Sequence, residues 1–265
     1  MYKILNIFFR SIYFDKLPKF FSRKLFKIFK IFFVDTELQT LPSDNHPTKI
    51  NDQTQIFKDA EKRFYKPWST CSYLLELLTL YSTYKENLKF YDFGANNIDN
   101  YLYLNKYLNK WQYIYRDLPV YNDEVKKIIN QKKYKNILVD SNFELSEGTL
   151  DFAFFGSSIH YVSDYKLVLK KFFENKTKYL IFSHTPFFIS GAFDKDRVLK
   201  QLNIHPTINY LYLLHHDNFI NFMNENNYQL ISQNKNNFIK FLNFKNFSKD
   251  YSSINFFDMN FARVN

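Results

Sequence analysis

From Leu88 onward, short apolar runs alternate with stretches of helical period: LKFYDF at 88–93, WQYIY at 111–115, NILV at 136–139, LDFAFF at 150–155 and KYLIFS at 178–183. Runs of this length with little polar alternation are strands buried on both faces. Between and after them, apolar positions recurring every three or four residues predict helices over 98–108, 122–130, 164–175 and 217–226. Strand and helix in alternation make a parallel sheet covered on both sides, an α/β, Rossmann-like, doubly wound arrangement with five parallel strands. YQLIS at 228–232 and FIKFL at 238–242, separated by polar QNKNN, read as a closing antiparallel hairpin. Two helices, near 55–64 and from Pro67 to about 84, lead into the first strand, with Pro67 suited to a first helical turn. The domain therefore spans 56–243, and 244–265 reads as a loosely attached tail.

Ahead of it the pattern changes. Over 19–34, Lys19, Arg23, Lys27 and Lys30 share one helical face while Phe21, Leu25, Ile28, Phe29 and Phe32 cover the other. Residues 1–34 hold eight basic residues against Asp15 alone, a surplus of seven out of a net charge of +10. A basic stripe beside an aromatic one suits an interfacial helix on an anionic membrane surface, worth roughly 1 kcal/mol per basic residue. An amphipathic helix docked on its own domain shows the same period, so both readings stand. Nucleic acid is disfavoured as a partner, because the charge is confined to one short segment and no nucleic-acid motif accompanies it. Residues 35–55, rich in Pro, Asn and Asp, read as a polar linker.

Composition adds exclusions. The single cysteine, Cys71, rules out an internal disulfide and agrees with a cytoplasmic protein, peripheral at the membrane's inner face if the basic helix binds there. No apolar run reaches the roughly 18 residues that a spanning helix needs. The wealth of Phe and Tyr with only 4 Gly follows from biased codon usage and carries no chemistry by itself. His215 and His216 are adjacent, pointing about 100° apart on a helix, and lack a Cys or acidic partner at ligand spacing, so no metal site is expected.

The chemistry gathers at strand ends, where doubly wound sheets bind nucleotides. Asp92 and Gly94 close the first strand of the series; Gly94 lets backbone approach a ligand, and Asp92 puts a carboxylate where a cationic amine can sit. Asp117 closes the second strand twenty-three residues after Gly94, near the spacing at which an acid bonds ribose hydroxyls. Asp140 closes the third, on the adenine side. A nicotinamide site is disfavoured, because the turn reads GANNID where a pyrophosphate needs GxGxxG. His160, following the fourth strand through Ser157 and Ser158, and His184, ending the fifth, are the candidate bases, since imidazole is matched to neutral pH. Asp194, Asp196 and Arg197 lend the insertion after the fifth strand a charged surface suited to a polar acceptor.

Taken together, DFGA at 92–95 with Tyr101, Trp111 opening the second strand, LDFAFFGSSIHYVSD at 150–164, HTPFF at 184–188, DRVLKQ at 196–201 with Tyr210, and the final hairpin resemble class I S-adenosylmethionine (SAM) dependent methyltransferases. More narrowly, they resemble a bacterial family met in surface-polysaccharide gene clusters. Asp117-Leu118-Pro119 is similar to a motif of small-molecule O-methyltransferases in which the Asp binds ribose. The resemblance implies a seven-stranded sheet and SAM as cofactor, held by Asp92, Gly94, Asn96, Asp117, Asp140 and Ser157. It also implies methyl transfer to a small molecule or glycan precursor, with His184 or His160 as base. The departures are Asn96 and Ile98, which stand where the family's first motif carries glycine. They keep open a second expectation, a catalytically silent scaffold at the membrane surface.

Overall fold

The computed structural model describes residues 31–42, 86–145, 148–189, 195–202, 208–236, 242–243 and 254–264. The helices expected at 55–64 and 67–84, most of the basic helix, and Cys71, Asp194 and His205 lie outside them.

Five parallel strands form as expected: β2 (Leu88–Phe93), β3 (Trp111–Arg116), β4 (Ile137–Val139), β5 (Phe152–Gly156) and β6 (Tyr179–Phe188). Four helices follow them closely: α1 (Asp99–Leu104), α2 (Pro119–Lys132), α3 (Tyr165–Glu174) and α4 (His216–Glu225). Pro119 stands in the first turn of α2, where its missing N–H costs nothing, and Lys133 ends that helix in the left-handed conformation. One apolar face of the sheet buries Phe90, Tyr113 and Phe152 with residues of α1 and α2; the other buries Tyr91, Phe155 and Phe182 with residues of α3 and α4.

The main sheet runs β4-β3-β2-β5-β6-β11-β9, with β9 (Tyr228–Lys235) and β11 (Ile254–Arg263) completing seven strands. β11 is antiparallel to both β6 and β9 and lies between them. This corrects the tail expected at 244–265. The antiparallel pair exists, but β9 takes its partner from 254–263 rather than from 238–242. Phe257, Met259 and Phe261 are buried in the main core with residues of α3 and α4, and Phe256 in a smaller apolar cluster with Phe33.

A second correction concerns 31–34, expected as the end of the basic helix. Ile31–Asp35 is strand β1, antiparallel to β7 (Arg197–Leu202), with Phe33 in a small apolar cluster. Ile-Phe-Phe-Val combines β-branched and aromatic residues, and over four positions the helical and extended periods cannot be told apart. β7 pairs with β8 (Ile208–His215), and β1 with β10 (Leu242–Asn243). The insertion after β6 thus builds a small sheet with the N-terminal strand. β6 joins the two sheets: residues 179–183 pair with β5, whereas Phe187 and Phe188 pair with β8 on the edge that β5 has left.

Candidate functional site

Strand order reverses between β2 and β5, which opens a crevice at their carboxyl ends. Gly94 has φ +67°, and a methyl group on its Cα would overlap Ser158 Cβ. Ser158 Oγ donates to Phe93 O at 2.7 Å, so the loops after β2 and β5 are locked together across the crevice. Gly94 N and Ala95 N both donate to Arg116 O, at 2.8 and 3.2 Å. Asn96 has φ +59°, a left-handed backbone that Asn tolerates better than most residues besides glycine. The glycine missing from the motif at this position is therefore replaced without loss of the turn.

Asp117 braces that turn. One carboxylate oxygen accepts from Asn96 N and the other from Leu118 N at 2.7 Å, and burial, offset by these bonds, raises its pKa. Buried Asn122 holds Asp117 in turn, accepting from its N–H and donating to its C=O, both at 2.9 Å. Asp92 lies deeper than expected, 1% exposed, and accepts from Asn100 Nδ2 at 2.8 Å and from the Tyr113 hydroxyl. It ties β2 to β3 and α1 beneath the turn. Burial is the main cause that pushes its pKa up to about 6; Tyr113 and Asn100 oppose the rise. Asp140 accepts from Tyr91 Oη at 2.7 Å and from the backbone N–H groups of Asn142 and Glu144, both at 3.2 Å. Arg116 clamps the same loop through the carbonyls of Asp140 and Ser141. Tyr115 Oη and Ser141 Oγ, at the ends of β3 and β4, are buried and make no hydrogen bond.

Across the crevice, exposed Ser157 has φ +57° and donates its N–H to Ser183 O at 2.8 Å. His160 sits in a single 3₁₀ turn, Ile159–Tyr161, 2% exposed, with Nδ1 buried and unbonded. Burial first, and then His184, pushes its pKa down to about 3. Its ring lies 4.3 Å from that of Tyr161, whose hydroxyl donates to Gln201 Oε1 of the insertion at 2.6 Å. His184 has φ +50°, and burial, opposed by the charge of Asp258, lowers its pKa. The fold thus brings His160 and His184 together as two imidazoles that are neutral at pH 7.

The other two described histidines have structural partners. His215 caps α4 by accepting from Asn218 N at 3.3 Å, and His216 contacts Asp217 and Gln233. Among the described residues no three His, Cys, Asp or Glu side chains are grouped to hold a metal ion. Asp196 accepts from His215 N at 2.7 Å and from Tyr165 Oη at 2.8 Å. It lines an open cleft of about 330 Å³ with Gln39, Asp164, Lys166, Tyr212 and Asn218. The cleft shares no residue with the strand-end crevice but begins at Ser163, three residues beyond His160. Asn122, Tyr115, Ser141 and Gln201 were not expected from the sequence: each is an ordinary polar residue until its neighbours are known.

The chain matches no family model and no curated protein sequence. Its fold is that of solved methyltransferase structures. One is the 1,6-didemethyltoxoflavin-N1-methyltransferase of Burkholderia thailandensis, with bound 1,6-didemethyltoxoflavin and S-adenosylhomocysteine. It has TM-score 0.52 and 10% identity over 88% of this chain and 95% of that one. The N-terminal domain of EvdMO1, in the presence of S-adenosylhomocysteine and D-fucose, also gives TM-score 0.52 and 10% identity, over 83% of this chain and all of the other. The [4+2]-cyclase SpnF shares the fold as well, with TM-score 0.51 and 8% identity over 72% and 79%.

Proposed function

We propose that this chain is a SAM-dependent methyltransferase acting on a polar small molecule or glycan precursor. The observation that carries the reading is the crevice at the β2–β5 reversal, where the left-handed turn Gly94–Asn96 is braced on Asp117 and the strand before it is tied through Phe93 O to Ser158, two residues before His160. The residues fit the cofactor. Gly94 and Asn96 would pass the amino-acid end, Asp117 would exchange its backbone donors for ribose hydroxyls, and Asp140 with Ser141 and Asn142 would border adenine. The buried, unbonded hydroxyls of Tyr115 and Ser141 offer further partners. Bound there, SAM supplies an electrophilic methyl group. The chain's own contribution is alignment, which by itself can lower a barrier by roughly 7 to 11 kcal/mol, and proton removal. His184, neutral at pH 7, takes the proton of an acceptor hydroxyl. His160, 2% exposed and with its pKa pushed down to about 3, is too buried and too weak a base for that role. Solved structures of the same fold, one with bound 1,6-didemethyltoxoflavin and S-adenosylhomocysteine and one in the presence of S-adenosylhomocysteine and D-fucose, support a polar acceptor. The cleft beside Asp196 is the place offered for its distal part.

A second reading, a silent scaffold that keeps the fold without the cofactor, is favoured by one observation: both carboxylate oxygens of Asp117 already accept backbone N–H groups. Calorimetric titration of the full chain separates the two. S-adenosylhomocysteine binds with micromolar affinity, NADH does not, and Asp117→Ala loses at least tenfold in affinity. Absence of binding by folded protein transfers the reading to the scaffold.

A further inference from the structure

His184 owes its place to an irregularity in β6. Phe257 of β11 pairs with Thr185 and Met259 with Phe182, so Asp258 alone stands opposite two residues, Ser183 and His184. This is a β-bulge in β6, and within it His184 takes a left-handed conformation, at φ +50°. It falls where β6 leaves its pairing with β5. Asp258 repairs the interrupted ladder with its side chain, Oδ1 accepting from His184 N at 3.0 Å and from Ser183 Oγ at 2.7 Å. Asn236 Nδ2 donates to both carboxylate oxygens, at 3.1 and 3.0 Å, and keeps the group in place. Ser183 Oγ lies 3.2 Å from His184 Nδ1. A hydroxyl has one proton, and here the carboxylate takes it; toward the imidazole Ser183 therefore accepts, and Nδ1 carries the hydrogen.

We propose that Asp258 is a positioning residue which, through Ser183 Oγ, holds His184 as the Nδ1–H tautomer and leaves the Nε2 lone pair as proton acceptor. The proposal deepens the methyltransferase reading and rests on it for the acceptor. When Nε2 takes a proton, the imidazolium keeps Nδ1–H on Ser183, and the negative charge of Asp258 lies behind it. A solvent-exposed histidine side chain prefers the opposite tautomer, with hydrogen on Nε2, so the relay selects the less common form. Among the described residues, the charged and titratable groups that act on His184 include Asp258 on β11 and His160 on the loop after β5.

The test is a long-range proton–nitrogen correlation spectrum of full-length protein labelled with ¹⁵N in histidine, at pH 7.5, His184 being assigned by its absence in His184→Gln. Wild type shows a protonated Nδ1 and an unprotonated Nε2. Ser183→Ala removes the acceptor, and Asp258→Ala frees the Ser183 hydroxyl to donate to Nδ1; both move the hydrogen to Nε2. Asp258→Asn, which keeps an acceptor oxygen for Ser183, retains the wild-type pattern. A wild-type His184 with hydrogen on Nε2, or a Ser183→Ala spectrum unchanged from wild type, overturns the proposal. Should Asp258→Ala fail to fold, Ser183→Ala decides alone. The spectrum needs neither cofactor nor acceptor, so failure to bind S-adenosylhomocysteine tells against the enzyme reading and leaves the tautomer result standing.

Discussion

Asp92 and His160 are buried ionisable groups whose folded states favour the neutral form, and they act in opposite directions with pH. The pKa of Asp92 rises from 3.8 to about 6. Its contribution to stability is therefore full below about pH 4 and is lost as pH rises through 6. His160 falls from 6.5 to about 3, so its contribution is full above pH 6.5 and is lost as pH falls toward 3. Asp92→Asn keeps an acceptor for Tyr113 and Asn100 without the charge. Urea unfolding at pH 4 and pH 7.5 should show the variant gaining on wild type at the higher pH by on the order of 2–3 kcal/mol relative to the lower. An equal difference at both pH values would mean that Asp92 does not titrate in this range. Asn96 teaches a related lesson. As a letter in a motif it breaks the pattern, yet its left-handed backbone satisfies the requirement behind the pattern.

At the scale of elements, β11 does most to change the picture. It supplies the antiparallel strand between β6 and β9 and brings Asp258 to the bulge. Deleting residues 254–265 would strip partners from two strands and remove Phe256, Phe257, Met259 and Phe261 from the core. At roughly 1.5 to 3 kcal/mol for each buried side chain, the loss matches the whole net stability of about 5 to 15 kcal/mol typical of a domain. The truncated protein is expected to lose its near-ultraviolet circular dichroism and its cooperative urea transition. A dispensable tail would leave both unchanged. The bulge in β6 shows an element accepting a local irregularity at His184, the base proposed above.

For the molecule as a whole, the position of β1 matters for the basic N-terminus. β1 belongs to the small sheet, with Thr36 Oγ1 bonded to Val198 O at 2.7 Å and Leu41 buried against the main core. The segment that carries the charge therefore runs directly into a strand of the fold. Removing residues 1–30, which keeps β1, should leave the urea transition in place and abolish sedimentation with vesicles containing anionic lipid. Unchanged sedimentation would remove the membrane reading, and loss of folding would favour a helix docked on the domain. No helix among the described residues is long and apolar enough to cross a bilayer.

Five parallel strands, four helices and the acids at the ends of β2, β3 and β4 were all determined by the sequence read on its own. Each depends on a signal contained in a few consecutive residues: an apolar run, a helical period, or a charged residue following a strand. Tertiary structure decided what depends on partners. Ile31–Val34 is an apolar run of ambiguous period, and β7 makes it a strand. Ile254–Arg263 becomes core because β6 and β9 leave a gap of one strand between them. Asp258 meets His184 across seventy-four residues of chain, through a bulge that no local pattern announces. Local periodicity records which faces of a segment are apolar, whereas pairing and register are set by which backbone donors and acceptors remain to be satisfied, and those belong to other parts of the chain.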